Sequence, residues 1–468
     1  MVHKTLGGYL DSIRDDPAEY RSVSRVVNPM DFDVTAVLQR LEDRREFPVV
    51  EFRNPLTMHG EPSEFPIVSN LWATRERCAE AVGVPRAEAG PRLGVRFSEL
   101  VGNRLEPRLV SSDDAPVQTH VHRGDDADML RFPVVRHAEM DLGGATTMAL
   151  AMHEPDDEFY NVSFVKAFPA PGGRAGLTIH SKDLGRMTRA WERRGEAFPV
   201  INILGAHPGF WLGTLNNTPY GDNEYATIGG FIREPLRLAP SVTWGKDFLV
   251  PADAEIIIEG EITPGELTVV DPFGEISGLY QEQQLAPVMR VTAITHRDAA
   301  IYQDVFSGHR EHILLGSIPI EGSIYLHLKR KLGTVTAVHL PYSACGRYTA
   351  YISISKTEEY QGKQAGLQAL AHSPNLHTAV VVDDNIDVFN EEEVIWAVNT
   401  WVNPARDVDV IRNVSHNGEP SGLGYSKVII DATRTKVMAT STRFRVPPAA
   451  LARVNLGDWL DSANGGAR

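Results

Sequence analysis

Three polar residues in the middle of the chain have the types that a divalent cation takes. Asn161 lies in Asn161-Val-Ser-Phe-Val-Lys, His180 opens a helical stretch, and Glu224 lies in Asp222-Asn-Glu-Tyr-Ala. An amide oxygen, an imidazole and a carboxylate form a mixed oxygen/nitrogen donor set suited to Mn²⁺ or a similar ion, which binds a ligand phosphate well. Spacing alone leaves a plainer alternative: the histidine is a helix cap or core residue, and the other two are ordinary loop residues. Further along, Val270-Asp-Pro-Phe-Gly-Glu-Ile-Ser-Gly carries Glu275. A buried carboxylic acid there would have a raised pKa and donate a proton near neutrality. The alternative is a turn shaped by Pro272 and Gly274, with Glu275 facing water.

Other chemistries lack their signatures. The chain has no Gly-rich phosphate loop ending in Gly-Lys-Ser/Thr, no nucleophile elbow and no His-Glu-x-x-His zinc helix. The acidic run from Asp383 has the outline of a calcium loop but puts Val388 where glycine is needed and Val394 where the bidentate glutamate is needed. A strand end with solvated acids is the better reading.

Elements able to position these residues follow from periodicity. In the first segment Asp33 could cap a helix with Val34, Val37, Leu38 and Leu41 on one face, and strands are expected at Phe47-Pro-Val-Val-Glu-Phe and Pro66-Ile-Val-Ser-Asn-Leu. Residues 70–90 return to a helical pattern. From about 116 to 305 the signal is mainly β, with strands at Thr146–Met152, Val200–Leu204, Glu255–Glu259 and Val288–Ile294. One helix interrupts them after His180, with Leu184, Met187 and Trp191 at helical spacing and Gly195 just past its end. After Tyr325 strands at Thr334–Leu340, Tyr351–Ser355 and Ala379–Asp383 alternate with helices near 361–372 and 391–399. This gives an α/β N-terminal region over 1–115, a β-rich block suited to a barrel-like cofactor domain over 116–305, a connecting segment at 306–324, an α/β domain over 325–450 and a tail at 451–468.

Composition limits the function classes. With 468 residues, 42% apolar and 23% charged, the chain is an ordinary globular protein long enough for two or three cores. A net charge of −15 argues against general nucleic-acid binding. Two cysteines, Cys78 and Cys345, give no disulfide framework. No signal-like N-terminus and no apolar run of membrane-spanning length occurs, so a cytoplasmic protein off the membrane is expected.

Taken in order, these segments resemble the UbiD family of decarboxylases, which includes the ferulic acid decarboxylases. The likeness runs from Pro66-Ile-Val-Ser-Asn-Leu-Trp through the Asn161, His180 and Glu224 segments, Glu255-Ile-Ile-Ile-Glu-Gly and Asp271-Pro-Phe-Gly-Glu-Ile-Ser-Gly. It continues to Val381-Val-Asp-Asp-Asn-Ile-Asp-Val-Phe, Ile395-Trp-Ala-Val-Asn-Thr and Lys427-Val-Ile-Ile-Asp-Ala-Thr. The resemblance implies an α/β (α+β) fold: a split β-barrel binding prenylated FMN, followed by a C-terminal α/β oligomerisation domain. It implies Asn161, His180 and Glu224 as ligands of Mn²⁺ or a similar ion that bridges to the cofactor phosphate, often beside K⁺. Ser163, Lys166 and His377 would also face the cofactor. Glu275 matches the proton-donating glutamate, which would protonate the carbon left when CO₂ departs. A flavin prenyltransferase would supply the cofactor, and a homodimer or homohexamer is expected.

Four positions depart from the family pattern. Lys166 stands where an arginine is usual, and Val270 where a glutamate pairs with that arginine. Lysine keeps one positive charge but lacks the planar fork. Asp271 is adjacent to Val270, yet neighbouring side chains on an extended backbone point to opposite faces, and Pro272 favours such a backbone. Asp271 therefore replaces the lost carboxylate only if the turn is locally reshaped. His377 stands where a lysine is frequent, and Trp401 where an arginine is common. The first reading is a reversible, non-oxidative decarboxylase of an aromatic, heteroaromatic or α,β-unsaturated acid. The alternatives are a related flavoprotein with altered chemistry, such as carboxylation, and a non-catalytic member of the family.

Overall fold

A computed structural model describes residues 4–459 except 158, 217, 415–423, 436–443 and 445. Residues 460–468 of the expected tail lie outside the described residues. The N-terminal region holds α1 (Leu6–Ile13), β1 (Tyr20–Val27), α2 (Asp33–Asp43), β2 (Val49–Pro55), β3 (Ile67–Ser69), α3 (Arg75–Ala81) and α4 (Pro91–Leu100). Its mixed sheet runs β1-β2-β3 and is completed by Tyr302–Gln303 from far along the chain. Asp33 is the first residue of α2 and not its cap; Phe32 stands at the cap in the left-handed region, and the Asp33 carboxylate instead accepts the Asn28 N–H.

The middle of the chain closes into a barrel. Its strands are β4 (Thr146–His153), β5 (Tyr160–Ala170), β6 (Arg174–Thr178), β7 (Phe198–Leu204), β8 (Ile256–Val270) and β9 (Gln284–His296). The order β8-β7-β4-β5-β6-β9 is antiparallel throughout, and β8 pairs back onto β9 to complete the cylinder. Closure removes the exposed edges an open sheet of this length would carry. Helix α5 (Lys182–Arg194) follows β6; Leu184, Met187 and Trp191 are buried, and Gly195 ends it at φ 73°. The cap is Ser181, so His180 stands just before the helix.

Two further helices, α6 (Pro208–Thr214) and α7 (Glu224–Ile232), also interrupt the barrel, where periodicity indicates only α5. Every residue of both is buried. A helix covered on all sides has no polar stripe, and the amphipathic signal vanishes.

A 23-residue helix, α8 (Arg310–Leu332), then leads out of the barrel. Leu315 and Ile318 join the main core, while Ile324 and Leu328 belong to the core of the C-terminal sheet. That sheet contains β10 (Val335–His339), β11 (Thr349–Ile354), β12 (Thr378–Asp383), β13 (Val408–Val414) and β14 (Tyr425–Asp431), in the order β10-β11-β12-β14-β13. Helices α8 and α9 (Gln361–His372) cover one face, and α10 (Glu391–Trp401) covers the other. Trp401 is buried there, against the Arg434 guanidinium. Among the described residues no helix is long and apolar enough to cross a membrane.

Candidate active site

Lys166, His180 and Glu275 line one cavity of about 260 Å³, bounded also by Thr147, Phe164, Thr178, Ile276, Ser307, His312 and Arg347. Register explains part of this. Lys166 on β5 stands opposite Thr147 of β4 and Thr178 of β6, so three neighbouring strands contribute at one level. Arg347 comes from the loop before β11, and His312 from the first turn of α8.

The Lys166 ammonium is the hub of the polar cluster. Nζ donates to Glu275 Oε1 at 2.6 Å and to Asp271 Oδ1 at 3.2 Å, and it lies 5.1 Å from the centre of the Phe273 ring. Asp271 thus supplies the carboxylate that Val270 cannot. The extended backbone expected before Pro272 is absent: Asp271 has φ 60° and its peptide to Pro272 is cis. This reshaped turn brings the fully buried Asp271 carboxylate round to Lys166, with Gln284 Nε2 donating to its second oxygen at 2.9 Å. Val270 is buried with Ala145, Phe168, Phe273 and Ala286, and serves packing.

A second layer fixes the turn. Asp141 accepts the N–H groups of His137, Ala138 and Gly274 at 2.8–3.0 Å, and Ser307 Oγ donates to the Gly274 carbonyl at 2.6 Å. The raised pKa expected for Glu275 is not what this geometry gives. Burial pushes its carboxyl up, but the charge and hydrogen bond of Lys166, with smaller contributions from His312 and His180, outweigh burial and hold it below the ordinary value. At rest Glu275 is a carboxylate.

Hydrogen bonds join the segments that carry Asn161, His180 and Glu224. Ser163 Oγ donates to Asn161 Oδ1 at 3.0 Å and accepts from Ser181 Oγ, beside His180, at 3.1 Å; the Val162 N–H donates to Glu224 Oε2 at 2.5 Å. Glu224 opens α7, and that N–H is the hydrogen bond it has among the described residues. Burial pushes its carboxyl up to about 8. A buried carboxyl whose one hydrogen bond among the described residues is to a backbone N–H has the donor chemistry that a hard divalent ion satisfies.

His377 stands apart from this group. It does not line the cavity, and lies between the rings of Tyr348 and Tyr425 at 4.6 and 4.7 Å, at the start of β12. In contrast, His312 and Arg347 belong to the cavity although spacing gives them no signal. His312 Nδ1 accepts the Gly308 N–H at 3.1 Å, and burial pulls its pKa down to about 4, so the ring is neutral at pH 7.

Comparison with known proteins agrees with this architecture. The N-terminal, Rift-related and C-terminal domain models of 3-octaprenyl-4-hydroxybenzoate carboxy-lyase match residues 14–97, 108–310 and 313–432. An evolved dimeric form of the UbiD-class enzyme HmfF from Pelotomaculum thermopropionicum, in complex with prFMN, is similar at 31% identity and a TM-score of 0.88, covering 98% of this chain and 100% of that one. The same enzyme in complex with FMN matches at 31% identity and a TM-score of 0.89, over 97% of this chain and 100% of that one. A 3,4-dihydroxybenzoic acid decarboxylase from Enterobacter cloacae, at 22% identity and a TM-score of 0.84 over 96% and 99% of the two chains, shares the fold. Successive domain models along the chain and a full-length relative at 31% identity lead to one conclusion: the protein belongs to the UbiD family of carboxy-lyases.

Proposed function

We propose that the protein catalyses the reversible, non-oxidative decarboxylation of an aromatic, heteroaromatic or α,β-unsaturated carboxylic acid with prenylated FMN as cofactor. The observation that carries this reading is the Lys166–Asp271–Glu275 cluster, a cation held between two carboxylates in a cavity next to a cation-ready donor set. Asn161, His180 and Glu224 would hold Mn²⁺ or a similar ion, with K⁺ beside it, and through it the cofactor phosphate; Ser163 would keep the Asn161 oxygen oriented. When bound, prenylated FMN supplies the electron-accepting centre on which loss of CO₂ depends.

The chain's own residues supply the rest. Phe164, Leu215, Ile276, Val305 and Leu315 give the cavity apolar walls that exclude water from a flat substrate. As the bond to the carboxylate breaks and CO₂ leaves, the carbon left behind takes a proton, and Glu275 is positioned to deliver it. Since Glu275 rests as a carboxylate, it must first receive that proton. Lys166 Nζ, 2.6 Å away, is the hydrogen-bond donor that holds the Glu275 carboxyl in place for it. Asp271 holds Lys166 in place from the other side.

The test is co-expression with a flavin prenyltransferase, an absorbance spectrum, mass spectrometry of the released cofactor, and CO₂ release from a panel of unsaturated acids. Prenylated FMN and CO₂ from at least one acid are expected. Bound prenylated FMN with no CO₂ release or exchange from any acid would overturn the reaction, and absence of flavin would overturn the cofactor.

A further inference from the structure

The two cations of the cavity differ in what surrounds them. Lys166 has Asp271 and Glu275 in contact, one positive charge against two negative ones, so the cluster as a whole repels an incoming carboxylate. Arg347 feels the charge of Glu275 across the same cavity but has no carboxylate in contact. Among the described residues no carboxylate lies within ion-pair distance of its guanidinium and no hydrogen bond reaches it, and its buried Nε has no partner. Arg347 is partly buried, and a partly buried guanidinium with no carboxylate in contact is a group a protein keeps where a ligand supplies the anion.

The surroundings are built to admit this side chain. Arg347 lies over Gly316 of α8, where a Cβ would come within 3.1 Å of Nη2, so glycine makes the room. His312, one turn earlier on the same helix, lines the same cavity. Its Nδ1 accepts the Gly308 N–H, which in the neutral ring places the proton on Nε2. The ring therefore offers a second donor to the cavity without adding a charge.

We propose that Arg347, assisted by His312 Nε2–H, is the carboxylate-recognition site of this cavity. The guanidinium fork takes both oxygens of a substrate carboxylate, and His312 donates to one of them. This rests on the decarboxylase reading above and names the group that orients its substrate. The carboxylate has two sources, the group to be released or a second acidic substituent that stays on the product.

Calorimetric titration of three probes into the full-length, co-expressed protein and its Arg347→Met and Arg347→Lys variants tests the assignment. The probes are benzoate, benzene-1,4-dicarboxylate and cyclohexanecarboxylate, the last having no conjugated ring to react. Arg347→Met is expected to weaken carboxylate binding by about 10- to 100-fold, the worth of a charged hydrogen-bonded pair. Arg347→Lys keeps a cation and is expected to lose only part of that. Weakening of all three probes assigns Arg347 to the released carboxylate; weakening confined to the dicarboxylate assigns it to a second acidic group. Unchanged binding of every probe in Arg347→Met, or no binding of any probe by the wild-type protein, would overturn the site. If wild-type protein releases CO₂ from no acid while Arg347→Met still loses probe binding, the decarboxylase reading fails and the anion site stands.

Discussion

At the scale of single residues, Lys166 decides the state of two carboxylates. Glu275 has a depressed pKa in the folded protein, so the stability this pair contributes is present above the unfolded carboxyl value of 4.5 and is lost as pH falls through the folded value. Lys166→Met removes the main influence opposing burial and leaves only the smaller ones of His312 and His180, so the folded pKa of Glu275 moves up. The sign reverses for this group: the variant should lose more thermal stability than the wild type as pH rises from 5 to 8. Melting curves across that range check it, and identical pH profiles would refute the electrostatic account. Glu275→Gln should lower CO₂ release by at least about 100-fold, the usual contribution of a positioned acid, while the protein stays folded. Normal turnover in that variant would remove Glu275 from the proton path.

At the scale of elements, α8 is the member that ties the parts together. Its Glu321 carboxylate, 1% exposed, forms a bidentate pair with Arg75 of α3 and also accepts from His339 and from the Leu340 N–H at the end of β10. Burial raises its pKa, but Arg75 and His339 together carry it down to about 2. Its stabilisation is therefore complete above 4.5 and disappears as pH falls from there towards 2. Glu321→Gln strands Arg75 and should cost about 3–5 kcal/mol in denaturant unfolding, with a flatter acid-unfolding curve in that window. Helix α7 offers a second check. A Cβ at Gly230 would overlap the Asn103 carbonyl, so Gly230→Ala must displace α7, and Glu224 with it. Overpacking of this kind costs about 1–3 kcal/mol, and the variant should retain less divalent metal by elemental analysis.

At the scale of the whole molecule, cofactor retention should depend on the cation. Prolonged dialysis against EDTA is expected to release both metal and flavin, measured by elemental analysis and absorbance, and re-addition of Mn²⁺ should permit rebinding. Flavin retained in full after metal loss would show that Asn161, His180 and Glu224 do not anchor it through an ion. Light scattering should give a homodimer or homohexamer, and a monomer at assay concentration would contradict the assembly proposed by resemblance.

How much was legible depends on whether a residue's role is local. The strands of the barrel and of the C-terminal sheet announce themselves through β-branched runs, and α5 through a buried face and its terminal glycine, because such signals are written in near neighbours. Family membership was legible from the order of the motifs. Three things were not. The turn that swings Asp271 onto Lys166 reverses the facing implied by an extended chain, since one residue at positive φ redirects the side chain. The ionised state of Glu275 follows from an ammonium 2.6 Å away but 109 residues earlier in the chain. Arg347 and His312 meet in the cavity from different elements, and an unpaired guanidinium is defined by what surrounds it in space. The sequence by itself determined the elements, their order and the lineage; the tertiary structure decided the charge state of the site and which cation is left to bind an anion, because electrostatics depends on distance through space and not along the chain.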